Sequence, residues 1–179
     1  MKTLVVNLLG APSSGKSTLA AQLYAELSKR GHLAEYVTEV AKDLVWDQRH
    51  NILQYQHLVF GLQHQKLDRL IGKVDFVVTD SPLLLSKYYN EDRGVDYPQE
   101  HLDGLVDAMW NRYHNFTIFI RREHGFEQSG RYHEEAQCVQ DEWDMTSKFK
   151  EHIDLVIGSK NINIKDLVEF ILNKQRKLL

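Results

Sequence analysis

The chain has 179 residues, of which 42% are hydrophobic, and a length that supports one well-buried core but is too short for two ordinary domains. A net charge of −3 without a basic run argues against a surface built for duplex DNA, so we expect small-molecule partners. No apolar run approaches the roughly 20 residues that span a bilayer, and the lone Cys138 excludes an internal disulfide, so we expect a soluble, cytoplasmic protein.

The first apolar segment, Leu4–Leu9, suits a strand that is buried on both faces. The residues Gly10–Ser17 follow it, read G-A-P-S-S-G-K-S, and match the pattern G-x-x-x-x-G-K-[ST] of a phosphate-binding loop. In such a loop backbone N–H groups surround the phosphates, Lys16 reaches the outer two, and the Ser17 hydroxyl helps to hold Mg²⁺. The cofactors predicted here are therefore ATP and Mg²⁺. The residues predicted to bind the nucleotide are Gly10, Ser13, Ser14, Gly15, Lys16, Ser17 and Thr18.

Helices and strands alternate along the rest of the chain. The predicted strands are Leu4–Leu9, Ala34–Thr38, Asp75–Thr79, Phe116–Ile120 and Ile153–Ile157. The predicted helices are Lys16–Arg30, a stretch from Ala41 to Ile71 broken near Asn51, Leu83–Tyr89, Pro98–Tyr113, Glu134–His152 and Ile164–Lys177. This alternation predicts a three-layer α/β/α fold with a five-stranded parallel sheet and ligands at the carboxyl ends of its strands. The polar segments Asn90–Glu100 and Glu123–His133 are predicted to be mobile loops.

Acidic residues follow the second and third predicted strands. Glu39 is placed to take a proton from an acceptor hydroxyl, although a first-turn glutamate of a helix also explains it. Asp80 is expected to contact Mg²⁺, directly or through water, together with Ser17, or else to orient the acceptor. A helix N-cap at Asp80 or Ser81 is the structural alternative. The sequence leaves open which carboxylate acts as the base.

Arginines follow the fourth predicted strand. Arg121 and Arg122 come directly after it, and Arg131 lies further along in the segment G-R-Y-H-E-E. Arginines that close over a site neutralise the charge of a transferred phosphoryl group and exclude water. We therefore predict that Arg121 and Arg131 are catalytic and that residues 122–135 form a lid over one domain, 1–179. A polar surface loop is the alternative.

The segment Leu53–Gln65 is rich in amides and aromatic rings for a helix. Gln56 or Gln63 would pair with an amide of the acceptor, and Tyr55 or Phe60 would stack on its ring. The predicted acceptor contacts are Glu39, Tyr55, Gln56, Phe60 and Gln63.

Taken together, these motifs resemble the nucleoside-kinase group of P-loop kinases, and the layout is also similar to the ribosylnicotinamide kinase-like domains of NAD-biosynthesis proteins and of phage-encoded kinases. The resemblance implies a P-loop NTPase kinase fold with a lid, Glu39 as general base and Gln56 as the reader of the base. Deoxynucleoside kinases carry Glu-Arg-Ser where this chain has Asp80-Ser81-Pro82, so an arginine contact to phosphate is missing there. The motifs that carry the resemblance are the phosphate loop, Thr38-Glu39 with Trp46, the helix Gln56–Gln63, Asp80, Ser86–Tyr89 and Arg131 with Glu134-Glu135.

Several functions are compatible with a phosphate loop. The sequence favours an ATP- and Mg²⁺-dependent kinase for a nucleoside-like or nucleotide acceptor. A phage-type kinase that phosphorylates a hydroxymethylated base in DNA is the first alternative, and a P-loop ATPase or binding protein without kinase activity is the second. A GTPase is disfavoured because Asn173–Arg176 lacks the aspartate of N-K-x-D, and the sequence does not indicate an oligomeric state.

Overall fold

The computed structural model describes residues 2–92, 98–123 and 135–178. The strands in these ranges are β1 (Leu4–Leu9), β2 (Ala34–Val37), β3 (Phe76–Thr79), β4 (His114–Arg121) and β5 (Leu155–Gly158). They form one sheet in the order β2-β3-β1-β4-β5, and every neighbouring pair is parallel.

Helices cover both faces of this sheet, which confirms the predicted three-layer α/β/α fold. They are α1 (Lys16–Lys29), α2 (Val40–Trp46), α3 (His50–Leu53), α4 (Gln56–Asp68), α5 (Leu85–Asp92), α6 (Gln99–Trp110), α7 (Glu135–Lys148) and α8 (Ile164–Arg176), with a short 3₁₀ turn at Lys150–His152. The core on one face is built by α1 and α8, and the core on the other face by α4, α5, α6 and α7.

The central strand β1 explains why this fold forms. Successive side chains of a strand point to opposite faces, so Leu4, Val6 and Leu8 pack under α1 and α8 while Val5 and Leu9 pack on the other side. All six side chains of β1 are buried, as the run rich in apolar residues predicted. Each of its five apolar side chains stabilises the fold by about 1.5–3 kcal/mol through removal of apolar surface from water.

The predicted helical stretch from Ala41 to Ile71 is corrected by the structure, which divides it into α2, α3 and α4. The first break follows Trp46, where Gln48 adopts the left-handed conformation with φ 57°. The N–H of Gln48 donates to the Val45 oxygen at 3.1 Å and that of Arg49 to the Leu44 oxygen at 2.8 Å, the bonding pattern of a Schellman helix end. Glycine usually marks such an end, and glutamine stands here instead, so the sequence carried no signal for it.

The two predicted mobile loops lie partly outside the described residues. The first is helical at both ends, because α5 continues to Asp92 and α6 begins at Gln99, and residues 93–97 between them are not described. In the second, Glu123 is held by β5 and the loop after it: its N–H donates to the Ser159 hydroxyl at 2.8 Å and its carboxylate accepts from the Lys160 N–H at 2.9 Å. Residues 124–134, most of the predicted lid, are outside the description.

The strand order determines where a site can form. Because β3 lies between β1 and β2, the residues that follow these three strands meet at one edge of the sheet. These residues are Gly10, Thr38 with Glu39, and Asp80. Within the described ranges, no helix combines the length and apolar character that a membrane span requires.

Candidate active site

The segment Gly10–Ser17 forms a tight connection between β1 and α1. Gly15 occupies the N-cap of α1 in the left-handed conformation, with φ 88° and ψ 11°. Since glycine has no side chain to cap the helix, the first N–H groups of α1 can bind an anion, and the helix dipole favours negative charge at the same point. Ser13 and Ser14 have buried hydroxyl oxygens that make no hydrogen bond within the described part of the chain. Oxygen-rich ligands such as phosphates suit these donors.

Gly10 is required by a close approach of two segments. A Cβ at this position would lie 2.7 Å from the Ile120 carbonyl oxygen and 2.8 Å from the Ser14 hydroxyl oxygen. The first of these atoms belongs to the backbone of β4 and can move only if the sheet moves. The loop therefore has to begin with glycine.

We expect Gly10→Ala to lower both the thermal stability and the affinity for ATP, because the loop must shift away from β4 to admit the methyl group. The matched control is Gly104→Ala in α6, where an added Cβ meets no atom within 4 Å. Alanine there favours the helix by roughly 0.5–1 kcal/mol. Thermal unfolding and a fluorescence titration with an ATP analogue measure both effects, and equal behaviour of the two variants would contradict the prediction.

Lys16 lies along the loop that carries it. Its ammonium group donates to the carbonyl oxygens of Gly10 and Ala11, both at 2.8 Å. These bonds keep the cation at the mouth of the N–H cradle instead of in bulk water. Phosphate oxygens are stronger acceptors than neutral carbonyls, so a bound triphosphate can compete for the same donor.

Glu39 is the N-cap residue of α2, with φ −66° and ψ 120°, and lies in the wall of the cavity described below. Burial raises the pKa of its carboxyl group above the ordinary value, the Lys16 ammonium opposes this shift, and the Asp80 carboxylate adds to it. A raised pKa brings a carboxylate closer to the range in which it accepts protons efficiently. The position therefore suits a general base.

Gln63 holds the turn that carries Glu39. Its side-chain oxygen accepts a hydrogen bond from the Val40 N–H at 2.9 Å, and its amide nitrogen donates to the Thr38 carbonyl at 3.3 Å. Gln63 is only 3% exposed, and both ends of its amide are used by these backbone bonds. We therefore reinterpret this predicted acceptor contact as a residue that positions Glu39.

Asp80 ends β3 in a buried position, with 3% of its surface exposed. Its Oδ2 accepts a hydrogen bond from the Tyr36 hydroxyl at 2.7 Å, whereas its buried Oδ1 makes no hydrogen bond within the described residues. Carboxylate and hydroxyl oxygens are the hard donors that Mg²⁺ prefers, so Ser17 and Asp80 fit the predicted role of metal ligands.

One cavity of about 490 Å³ is lined by the phosphate loop, Glu39 and Gln63. Its wall runs from the phosphate loop past Glu39 to α4 and α5. It is lined by Pro12, Ser13, Ser14, Gly15, Lys16, Ser17, Thr18, Glu39, Ala41, Lys42, Val45, Trp46, Leu53, Gln56, Val59, Gln63, Ser81, Pro82, Leu85, Ser86 and Tyr89. This volume lies in the range of ordinary small-molecule sites.

Of the predicted acceptor contacts Tyr55, Gln56 and Phe60, one belongs to the cavity wall and two do not. Gln56 belongs to the wall, and its amide nitrogen donates to the Leu53 carbonyl at 2.7 Å. Tyr55 precedes α4 and is 42% exposed, outside the wall. Phe60 is buried and stacks on His64 at 5.6 Å, also outside the wall. Gln56 is therefore the acceptor contact among these three that lines the cavity, and the acceptor contacts of Tyr55 and Phe60 stay predictions.

Three further wall residues, Lys42, Trp46 and Tyr89, have side chains that suit ligand binding, although the sequence did not assign them a role. Lys42 and Trp46 occupy one face of α2, four residues apart, and the Trp46 ring is 72% exposed. Tyr89 lines the cavity from α5. Two aromatic rings and one cation in the cavity wall are suited to a flat, polar ligand.

The family of the chain follows from a comparison with known domains. A family model described as an AAA domain matches residues 5–154. The chain belongs to this AAA domain family. The match includes the phosphate loop, Glu39, Asp80 and Arg121, so all of these positions belong to the family domain. None of the curated proteins shows a significant match.

Solved structures of other proteins share the fold of this chain. A structure of NadR protein in complex with NR is 15% identical, with a TM-score of 0.73 over 97% of this chain and 52% of NadR. The AAA domain thus spans about half the length of that protein. A structure of the APS kinase CysC from Mycobacterium tuberculosis, a cysteine-to-alanine mutant, is 11% identical, with a TM-score of 0.50 over 98% of both chains. These similarities confirm the predicted P-loop NTPase fold.

The predicted arginine lid is only partly described. Arg121 is the last residue of β4 and is exposed, and its carbonyl oxygen accepts from the Ser159 N–H at 2.9 Å. Its side chain is outside the cavity wall. Arg131 lies outside the described residues of the AAA domain. The catalytic roles of Arg121 and Arg131 therefore stay predictions.

Proposed function

We propose that this AAA domain is a Mg²⁺-dependent ATP phosphotransferase that transfers the γ-phosphoryl group to a nucleoside-like or nucleotide acceptor. The observation that carries the proposal is the single cavity in which the phosphate loop, Glu39 and the polar wall of α4 and α5 meet. A donor and an acceptor that share one cavity can react in line, and this positioning supplies much of the rate enhancement in phosphoryl transfer.

The donor half of the site is the phosphate loop. The N–H groups at the start of α1 would bind the phosphates, and Lys16 would exchange the Gly10 and Ala11 carbonyls for phosphate oxygens. Ser17 and Asp80 would hold Mg²⁺, which neutralises charge on the phosphate oxygens when bound. Charge develops on these oxygens during transfer, so fixed positive groups stabilise the transition state more than the ground state.

The acceptor half begins at Glu39. The Glu39 carboxylate would take the proton of an acceptor hydroxyl, the hydroxyl oxygen would form a bond to the γ-phosphorus, and the bond to the β-phosphate oxygen would break to release ADP. Because its nitrogen is engaged by Leu53, Gln56 presents its oxygen as a hydrogen-bond acceptor. Trp46 and Tyr89 add aromatic surface for a ring.

The comparisons support the class of reaction. One of the structures described above is an APS kinase, and the one with the larger TM-score was determined with NR bound. A nucleoside such as nicotinamide riboside is therefore a reasonable first acceptor to test. Kinases of this type act on small molecules, which agrees with the negative net charge of the chain.

An acceptor screen with γ-labelled ATP and Mg²⁺ tests the proposal. The panel contains ribonucleosides, deoxynucleosides, nicotinamide riboside, nucleoside monophosphates and duplex DNA with hydroxymethylated bases, and the Lys16→Ala protein serves as the check for contaminating kinases. We expect label to be transferred to a nucleoside or a monophosphate. Transfer only to DNA would contradict the small-molecule acceptor, and ATP hydrolysis that none of the compounds stimulates would contradict kinase activity.

A further inference from the structure

Tyr36 contacts one of the two residues that fit a metal site. It lies in β2, where it pairs with Val78 of β3 two residues before Asp80. Its hydroxyl donates to the Asp80 Oδ2 at 2.7 Å. The phenol thus holds one oxygen of the carboxylate that follows β3.

The hydrogen-bond pattern at Asp80 is asymmetric. Tyr36 engages Oδ2, whereas Oδ1 is buried and makes no hydrogen bond within the described residues. Native structures rarely leave a buried carboxylate oxygen without a partner such as a hydrogen-bond donor, a water or a metal ion. The asymmetry indicates which oxygen is available to a ligand.

The hydroxyl and the ring of Tyr36 have separate tasks. The ring packs against the core cluster below α1 and α8, which explains an aromatic residue at this point of β2. The hydroxyl adds nothing to that apolar contact. Its hydrogen bond is to the Asp80 carboxylate at the sheet edge.

We propose that Tyr36 is a positioning residue for Mg²⁺: its hydroxyl donates to the Asp80 Oδ2, so that the Asp80 Oδ1 is presented to the cation. The inference rests on the proposed function, because it assumes that ATP binds with Mg²⁺ at this loop. Partners of this kind orient metal ligands and tune their affinity in many metal sites.

Tyr36→Phe removes only the hydroxyl and keeps the ring. We expect the Mg²⁺ affinity of the ATP complex to fall by about 10–100-fold, the usual effect of losing such a partner. The ATP affinity measured in EDTA should stay at the wild-type value, because Tyr36 does not line the cavity. The measurement is a Mg²⁺ titration of the fluorescence of a labelled ATP analogue, repeated with Mn²⁺ by electron paramagnetic resonance.

The matched control is Tyr113→Phe. The Tyr113 hydroxyl donates to the Asp68 Oδ1 at the same distance of 2.7 Å, away from the cavity. If Tyr36→Phe loses stability but keeps the same Mg²⁺ dependence as the wild type and Tyr113→Phe, the inference is overturned. A thermal scan identifies this outcome as a purely structural effect of the hydroxyl.

A double variant tests whether Tyr36 acts through Asp80. If it does, Tyr36→Phe weakens metal binding in the wild type but adds nothing in the Asp80→Asn protein. Equal effects in both backgrounds would overturn the inference. These titrations need no acceptor, so a failed acceptor screen leaves them interpretable, whereas a wild-type protein that binds ATP without any Mg²⁺ dependence would overturn the inference and the proposed function together.

Discussion

Replacement of Lys16 by alanine is expected to reduce turnover by about 10³-fold or more, the effect of removing a cation that stabilises the transferred phosphoryl group. Lys16 carries the only cationic side chain within Gly10–Ser17. Its hydrogen bonds to the Gly10 and Ala11 carbonyls already hold it over the loop, so little reorganisation is needed when phosphates bind. The loop backbone, which depends on Gly10 and Gly15, does not need the lysine, and the fold should be intact.

The measurement is steady-state turnover with the acceptor found in the screen, together with a thermal scan. Lys174→Ala is the matched control. Lys174 lies on α8, forms an exposed ion pair with Asp154 and is not part of the cavity wall. Exposed pairs contribute about 0–1 kcal/mol, so this variant should behave like the wild type. Near-normal turnover of Lys16→Ala would be incompatible with the proposed phosphotransfer.

The donor half of the site was predictable from the sequence because its chemistry depends on backbone geometry. The pattern from Gly10 to Ser17 needs glycine at two positions for steric reasons, and the structure finds close contact at Gly10 and positive φ at Gly15. The apolar runs of the three central strands β1, β3 and β4 were equally informative, since strands buried on both faces admit few polar residues. Strand order was not predicted, yet it brings Glu39 and Asp80 to the same edge.

The acceptor half was harder to predict because it depends on which face of a short helix meets the cavity. The helix end at Gln48 has no glycine, so the start and phase of α4 could not be inferred. An error of one residue on a helix rotates a side chain by about 100°, which is enough to move it from the cavity to the core. Tyr36 was missed for a different reason. Its role depends on a contact between strands, which no local pattern records.

Glu39→Gln is expected to lower turnover by about 10²–10⁴-fold, the range of general-base catalysis, with little change in ATP affinity. Glutamine keeps the size and polarity of the side chain but cannot accept the proton. The matched control is Glu35→Gln, because Glu35 is an exposed residue of the preceding strand β2 and lies outside the cavity wall. Equal loss of turnover and ATP affinity in Glu39→Gln would point to a metal or structural role instead.

The pH dependence of turnover gives an independent test of the base. Burial raises the pKa of Glu39, so the acidic limb of the kcat/KM profile should lie above the range of an ordinary glutamate. The residual activity of Glu39→Gln should lack this limb, whereas Glu35→Gln should retain it. An unchanged limb in Glu39→Gln would assign the titration to another group and leave Asp80 as the candidate base.

The raised pKa of Glu39 also predicts that Glu39→Gln stabilises the fold at neutral pH. Between the ordinary pKa and the raised one, the folded state binds more protons than the unfolded state, so the contribution of Glu39 to stability is lost as the pH rises through the folded pKa. Glutamine carries no charge and avoids this loss. The unfolding temperature of Glu39→Gln should exceed that of the wild type at pH 8 and equal it at pH 3, and ~1 kcal/mol corresponds to about 2–4 °C in a chain of this size. A residue that merely caps α2 would destabilise the fold when replaced, so gain of stability with loss of turnover separates a catalytic Glu39 from a structural one.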